Sequence, residues 1–157
     1  MRTRRNGFVF VAGIVIGVLV SGVVAGLNAT QDSSPRAINL PGRTTTAPFS
    51  DAVLAGDTLY VAGRLGMDPA TGRPPATAQQ EARNVMDGIQ AVLAEADMTM
   101  DDLVSVKVFC SDVSLYGAFN SVYREYFNED PPARAFLGSG TLLFGARFEV
   151  AGIAVKG

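Results

Sequence analysis

The distribution of apolar and polar positions divides the chain into four segments. Residues 1–6 form a basic flank, and residues 7–27 form an uninterrupted apolar stretch without a charge. Residues 28–47 are polar and rich in Ser, Thr, Pro and Gly, which is typical of a linker. Residues 48–157 alternate short apolar runs with turns, which predicts one folded domain containing strands and helices.

Within this domain, period-two alternation predicts the strands. The stretch FSDAVLAGDTLYVAGRL reads as two strands joined by a tight turn at Gly56-Asp57. The stretch ARAFLGSG and the stretch ARFEVAGIAVK predict two later strands. Between these pairs, LVSVKVFCSDV predicts a strand with one apolar face, formed by Val104, Val106, Val108 and Cys110.

Two further stretches have helical spacing. Thr77 is the expected cap of the first helix, and Gln80 is placed to complete a capping box. A second helix is expected to start near Ser114 and to be stopped by Pro131-Pro132. Each helix has one apolar stripe to bury, so the order ββαβαββ predicts an α+β domain with a mixed β-sheet packed against two helices.

The apolar stretch 7–27 is long enough to cross a bilayer, since its residues would span about 31 Å as a helix. Arginines precede it, which predicts a cytoplasmic N-terminus and a membrane-anchored domain on the extracytoplasmic side, periplasmic or extracellular. A signal peptide cleaved after Ala25, giving a secreted protein, is the alternative. Signal-peptide apolar regions usually run about 7–15 residues, so the length favours a signal-anchor.

Composition limits the chemistry. The chain contains no histidine, and its one cysteine, Cys110, lies in a predicted strand and reads as a buried apolar residue. Histidine-based triads and zinc sites are therefore excluded, and no metal or cofactor is expected. The net charge of −2 gives no sign of a nucleic-acid surface.

Arg134 and Glu149 are the candidate functional pair. They lie in the last two predicted strands, which we expect to be adjacent and joined by a turn near Gly145. If the two side chains face each other, they form either a weakly stabilising ion pair or part of a binding site. The planar guanidinium fork of Arg134 matches a ligand carboxylate, so the second interpretation predicts a small carboxylate-bearing ligand.

Residues from about 47 to 156 resemble the Rid (reactive intermediate deaminase, YjgF-like) family. The similarity rests on APFSDAV, LYVAGRLGMDPATG, LVSVKVFCSDV, FNSVYREYF, PPARAF and FEVAGIAV, in order and at the family's spacing. It implies a chorismate-mutase-like fold and a homotrimer with ligand sites in the clefts between subunits. It also implies hydrolysis of enamines and imines, such as 2-aminoacrylate and 2-iminopropanoate, to 2-oxo acids and ammonia.

The resemblance assigns roles to four positions. Arg134 matches the arginine that grips the substrate carboxylate, and Glu149 matches the acidic residue near the attacking water. Asn120 matches an asparagine near the cleft, and Gly63 falls in the loop whose backbone lines the pocket. An imine is already electrophilic, so positioning and a presented water suffice without histidine.

The sequence also departs from the family's pattern around the site. Phe49 replaces the usual tyrosine, Ala62 a frequent serine, and Arg64 the usual glutamine, while Ala135 and Phe136 follow the key arginine. These changes predict a more apolar site that lacks hydroxyl and thiol groups for orienting water. Arg64 adds either a second positive group suited to a dianionic ligand or a solvated surface charge.

The leading functional prediction is hydrolytic deamination of 2-imino acids, with Arg134 and Glu149 as catalytic residues. The substrate-binding residues are predicted to be Arg134, Phe49, Ala62, Gly63, Arg64, Asn120 and Phe136. The alternative is a trimeric module that binds a small carboxylate without turning it over. Retention of the Arg134–Glu149 pair favours catalysis, and loss of the hydroxyl groups favours binding alone.

Overall fold

The structure is a computed structural model that describes residues 34–43, 47–128 and 130–157. Its strands are β1 (Arg36–Ile38), β2 (Ala52–Ala55), β3 (Thr58–Leu65), β4 (Leu103–Cys110), β5 (Ala133–Gly138) and β6 (Phe148–Val155). Its α-helices are α1 (Ala78–Ala94) and α2 (Tyr116–Tyr123).

The six strands form one sheet in the order β1-β2-β3-β6-β4-β5. Every neighbouring pair is antiparallel except β4 and β5, which are parallel. A parallel pair needs a crossover connection, and α2 lies in the connection between β4 and β5. The predicted α+β class, with a mixed sheet and two helices, is confirmed.

The core lies between the helices and one face of the sheet. On α1 the buried apolar side chains recur at helical spacing, and on β4 and β6 they alternate with more exposed ones. This core includes Val85, Met86, Ile89, Leu93, Val106, Val108, Phe119, Phe148 and Val150.

The helix starts differ in detail from the predictions. The Thr77 side chain accepts a hydrogen bond from the Gln80 backbone N at 3.2 Å, as a cap should. The Gln80 side chain instead donates to Asn84, so the predicted reciprocal capping box is only half formed. Helix α2 begins at Tyr116 rather than near Ser114, because Val113–Leu115 forms a 3₁₀ turn first.

Two strand predictions are corrected. Residues 36–38 lie within the predicted linker 28–47 but form β1, which pairs with β2 and adds an edge strand to the sheet. Val104 is exposed, whereas Leu103 is buried, because the β4–β6 pairing shifts register between Leu103 and Ser105. A bulge of this kind changes which side chains point inward.

The expected adjacency of the last two strands is also wrong, because β4 lies between β5 and β6. Arg134 pairs with Val106 of β4, and Glu149 pairs with Phe109. Directly paired residues point to the same face, and successive residues of a strand alternate. Arg134 therefore lies on the helix-covered face, and Glu149 lies on the opposite face.

Across the three described ranges, no helix is long and apolar enough to cross a membrane. The predicted basic flank 1–6 and apolar segment 7–27 lie outside the described residues.

Candidate functional site

The first candidate region, here called the Arg134 cavity, lies beside β5 and α2 and has a volume of about 420 Å³. Arg134 enters it from β5, while α2 and the segment after it contribute the opposite wall. Its other lining residues are Tyr116, Asn120, Tyr123, Arg124, Phe127, Pro131 and Pro132.

Four aromatic rings surround the Arg134 guanidinium. Its central carbon lies 4.4 Å from the centre of the Tyr123 ring. The corresponding distances are 5.8 Å for Tyr116, 6.0 Å for Phe119 and 5.9 Å for Phe136. Within the described part of the chain, Arg134 forms no salt bridge. The rings thus hold a cation that no carboxylate of the described residues neutralises, the state expected of a receptor for an anionic ligand.

The hydroxyl groups near this cation differ in their surroundings. A hydrogen bond with the buried Asn120 side chain lowers the pKa of Tyr116, and the positive charge of Arg134 lowers it further. The Tyr123 hydroxyl is buried, and no hydrogen-bond partner for it exists among the described residues. Burial raises the pKa of Tyr123 to about 12, against the opposing effect of the Arg134 charge.

The second candidate region, here called the Glu149 cavity, has a volume of about 790 Å³. It lies where β3 and β6 meet the loop before β2 and the turn before β6. Five predicted site residues line it, namely Phe49, Ala62, Gly63, Arg64 and Glu149.

Gly63 is required by the position of Glu149. A Cβ atom added at Gly63 would lie 2.0 Å from Glu149 Oε1, so a larger residue here would displace the carboxylate from its present position. The β3–β6 register shifts between Val61 and Arg64, at the same place. The Glu149 carboxylate makes no hydrogen bond or ion pair to any residue that the structure describes, so it is available to a water molecule or a ligand.

Arg64 is not an unpaired second cation. Its Nη1 lies 3.3 Å from Oδ1 of Asp51, which also lies 3.5 Å from Nη1 of Arg43. The second carboxylate oxygen of Asp51 accepts a hydrogen bond from the Leu40 backbone N at 3.0 Å. The Arg64 side chain passes over Gly88 of α1, where a Cβ would lie 2.6 Å from Nε. Since Asp51 is shared by Arg64 and Arg43, the three side chains together keep a net charge of +1, although each guanidinium has a carboxylate partner.

The predicted site residues thus fall into two groups. Arg134 and Asn120 line the Arg134 cavity, and Phe136 packs beside it with its ring 5.0 Å from that of Tyr116. The other five line the Glu149 cavity. Tyr116 and Tyr123 line the Arg134 cavity, and Leu143 and Phe144 line the Glu149 cavity, although no sequence pattern predicts these four as site residues.

A buried carboxylate that the sequence analysis did not identify supports β6 from behind. Glu81 of α1 is fully buried, and its Oε2 lies 2.7 Å from Arg147 Nη1. Its other oxygen, Oε1, accepts hydrogen bonds from the backbone N of Arg147 and, at 3.0 Å, of Phe148. These bonds attach the start of β6 to α1 and so fix the position from which Glu149 projects.

Fold and site together define an α+β domain without histidine, in which Arg134 and Glu149 form no ion pair with any residue that the structure describes. A family model described as "Endoribonuclease L-PSP" matches residues 41–156. The chain therefore belongs to this family, the Rid or YjgF-like L-PSP proteins.

Individual relatives agree with this assignment. A goat (Capra hircus) protein named "2-iminobutanoate/2-iminopropanoate deaminase" is 38% identical over 111 residues, covering 70% of this chain and 81% of the relative. A "RutC family protein" of Sulfurisphaera tokodaii is 36% identical, covering 70% and 89%.

Solved structures give the same result. The Escherichia coli YjgF gene product superimposes with a TM-score of 0.71 at 26% identity, covering 78% of this chain and 99% of that one. RidA from an Antarctic Psychrobacter species gives 0.69 at 29% identity, covering 77% and 99%.

The predicted location, membrane-anchored on the extracytoplasmic side or secreted after cleavage, is contradicted. The described residues contain no membrane-crossing helix, the family model matches residues 41–156, and the deaminase relative is matched over 81% of its own length. The prediction rested entirely on residues 1–27, which are outside the described ranges, so the location is withdrawn.

Proposed function

We propose that this protein hydrolyses 2-imino acids and their enamine tautomers to 2-oxo acids and ammonia. The observation that carries the proposal is the Arg134 guanidinium, held by four rings beside a cavity and without a carboxylate partner among the described residues. The names of the deaminase relatives support the same reaction. The family description mentions a ribonuclease, but the net charge of −2 gives little support for nucleic-acid binding.

The residues suit each step of this reaction. Arg134 binds the substrate carboxylate through its two-pronged fork and fixes the orientation of the imine carbon. Glu149 accepts a hydrogen bond from water and takes its proton as the oxygen adds to the carbon of the C=N bond. Glu149 passes that proton to the nitrogen, which gives a neutral carbinolamine. Glu149 then takes the proton of the carbinolamine hydroxyl and delivers it to the nitrogen as the C–N bond breaks, which leaves a C=O group and ammonia.

The two residues cannot serve one small molecule from within one protomer, because they lie on opposite faces of the sheet and in different cavities. We therefore propose a homotrimer in which the Arg134 cavity of one protomer meets the Glu149 cavity of the next. Each cleft then receives its carboxylate-binding group and its water-binding group from different chains. The catalytic domain comprises residues 48–157, extended by β1.

A binding module is the second candidate function, and a specific observation favours it. Phe49, Ala62 and Phe136 provide no hydroxyl or thiol to orient water. Among the residues that the structure describes, Glu149 is then the one unpaired polar side chain lining its cavity. Under this interpretation the cleft binds a small carboxylate without hydrolysing an imine.

The test is an imine-trapping assay. An amino-acid oxidase generates imino acids from several amino acids, the full-length protein is added, and semicarbazide captures the imine that remains. We expect the protein to speed imine loss, and Arg134→Ala to reduce kcat/KM by about a hundredfold or more, since each charge-assisted hydrogen bond contributes about 1.5–3 kcal/mol.

Arg73→Ala is the matched control, because Arg73 is an exposed arginine in a turn outside both cavities and its loss should leave the rate unchanged. Binding of 2-oxo acids by a folded protein that never accelerates imine loss would instead establish the binding module.

A further inference from the structure

We propose that the Glu149 cavity selects imino acids with a bulky apolar or aromatic side chain. The side chain would be held by the apolar rim, a name used here for Phe49, Leu143 and Phe144. This inference rests on the proposed function, since it specifies the substrate class for the same site.

The rim residues are large, apolar and unusually exposed. Phe49 is 58% exposed, Leu143 68% and Phe144 76%, and all three line the cavity that holds Glu149. Exposed apolar groups that cluster around a cleft mark binding sites far more often than isolated ones do. Glu149 and Gly63 line the same cavity, so this apolar surface lies beside the proposed reaction centre.

The backbone at Phe144 gives a second argument. Phe144 has a φ of 58°, in the left-handed region, and Gly145 follows with a φ of 73°. This conformation is unfavourable for a bulky residue, and such strain is concentrated at functional sites. Since the Phe144 ring is mostly exposed, packing within the protomer does not offset the strain. A bound apolar group would cover the ring and remove it from water.

The polar groups of the cavity define what else a ligand meets. Arg64 pairs with Asp51, as described above. The Asn84 side chain donates to the Met67 carbonyl oxygen at 3.2 Å, and the Tyr126 hydroxyl donates to Asp87 Oδ1 at 2.5 Å. These side chains are therefore engaged within the protein, and Glu149 is the unpaired polar group among the described residues that line the cavity. A ligand with one polar end and an apolar remainder fits this arrangement.

The size of the Glu149 cavity suits a substrate with a bulky side chain. At about 790 Å³ it lies in the upper part of the range of about 300–1,000 Å³ typical of sites for ligands of drug size. The single methyl group of 2-iminopropanoate would leave most of this space and the whole rim uncovered. An aromatic or branched side chain would cover the rim while its carboxylate reaches Arg134 of the neighbouring protomer.

The test compares imines made from phenylalanine and from alanine. We expect a higher kcat/KM for the phenylalanine-derived imine in the wild-type protein. Phe144→Asn removes the ring and tolerates a positive φ, so it should lower the phenylalanine-to-alanine ratio by about tenfold or more. Val113→Ala, which trims an exposed apolar side chain outside both cavities, should leave the ratio unchanged.

Each outcome decides the inference. The inference is overturned if the wild type hydrolyses both imines with no preference. It is also overturned if Phe144→Asn leaves the phenylalanine-to-alanine ratio unchanged. The proposed deamination stands in both cases. If the wild-type protein hydrolyses none of the imines, the proposed function is overturned. Calorimetry then still tests the rim, because phenylpyruvate should bind more tightly than pyruvate to the wild type but not to Phe144→Asn. Dissociation of the oligomer by Phe144→Asn would assign the rim to an interface between copies and overturn the inference.

Discussion

The Arg134 cavity and the Glu149 cavity differ in how each presents its charge. In the first, a cation is surrounded by aromatic rings and lacks a carboxylate partner among the described residues. In the second, an unpaired carboxylate lies beside glycine and a paired arginine. Aromatic rings orient a guanidinium without neutralising it, whereas a close glycine simply makes room. One region is therefore built to bind an anion, and the other to place a carboxylate next to a reacting atom.

Replacing Glu149 should have the largest effect that separates these roles. Glu149→Gln keeps the shape of the side chain but removes its basicity, so we expect kcat to fall by about a hundred- to a thousandfold with little change in KM. Steady-state kinetics in the trapping assay measures both constants. If kcat/KM falls by the same factor but only because KM rises, Glu149 binds substrate rather than acting on water.

A substitution at Gly63 should have a smaller effect through the same carboxylate. Gly63→Ala places a Cβ where Glu149 Oε1 now lies, so we expect the carboxylate to move and kcat to fall by about tenfold. Gly117→Ala is the matched control, because no atom lies within 4 Å of its added Cβ.

A double variant identifies the cause of the Gly63 effect. Gly63→Ala combined with Glu149→Gln should be no slower than Glu149→Gln alone, because both changes act on one group. Additive losses would mean that Gly63 contributes in another way.

The smallest expected effect is on stability, from removing the hydroxyl of Tyr123 in the wall of the Arg134 cavity. Tyr123→Phe removes a buried hydroxyl that has no partner among the described residues, so the free energy of unfolding should be unchanged or rise by about 1 kcal/mol. The pKa of Tyr123 is raised to about 12 from an ordinary value of 10.0, so the folded protein favours the neutral phenol. The contribution of the neutral Tyr123 phenol to the free energy of unfolding is complete below about pH 10 and is lost as the pH rises toward about 12.

Urea unfolding at pH 9 and at pH 11 measures this difference. The wild type should lose more stability between the two pH values than Tyr123→Phe does, and Tyr126, present in both, cancels in the comparison. Equal losses would show that Tyr123 does not titrate differently on unfolding.

Local patterns predicted the elements of this fold well. Alternation located β2 to β6, and helical spacing located α1 and α2, because both patterns reflect burial of one face. Strand order was not predictable in the same way. Placing β4 between β5 and β6 depends on contacts distant in sequence, so the expected adjacency of the strands that carry Arg134 and Glu149 was wrong.

The candidate site could be predicted from the sequence only in part, for a related reason. Similarity to the family identified Arg134, Glu149, Gly63 and Asn120 as candidates, but no periodic pattern indicates which face each would occupy. The Phe144 turn has no sequence signal of its own, since a left-handed phenylalanine is uncommon. Pairing of Arg64 with Asp51 across 13 positions likewise depends on how the chain before β2 folds against β3.

Each proposed active site combines Arg134 of one protomer with Glu149 of another. The most direct test mixes the inactive variants Arg134→Ala and Glu149→Gln in equal amounts, unfolds and refolds them together, and measures imine hydrolysis. With random assortment, a cleft has one chance in two of an intact Arg134 and one in two of an intact Glu149, so about one quarter of wild-type activity should return. Activity no higher than that of either variant alone, from a properly reassembled oligomer, would contradict the account.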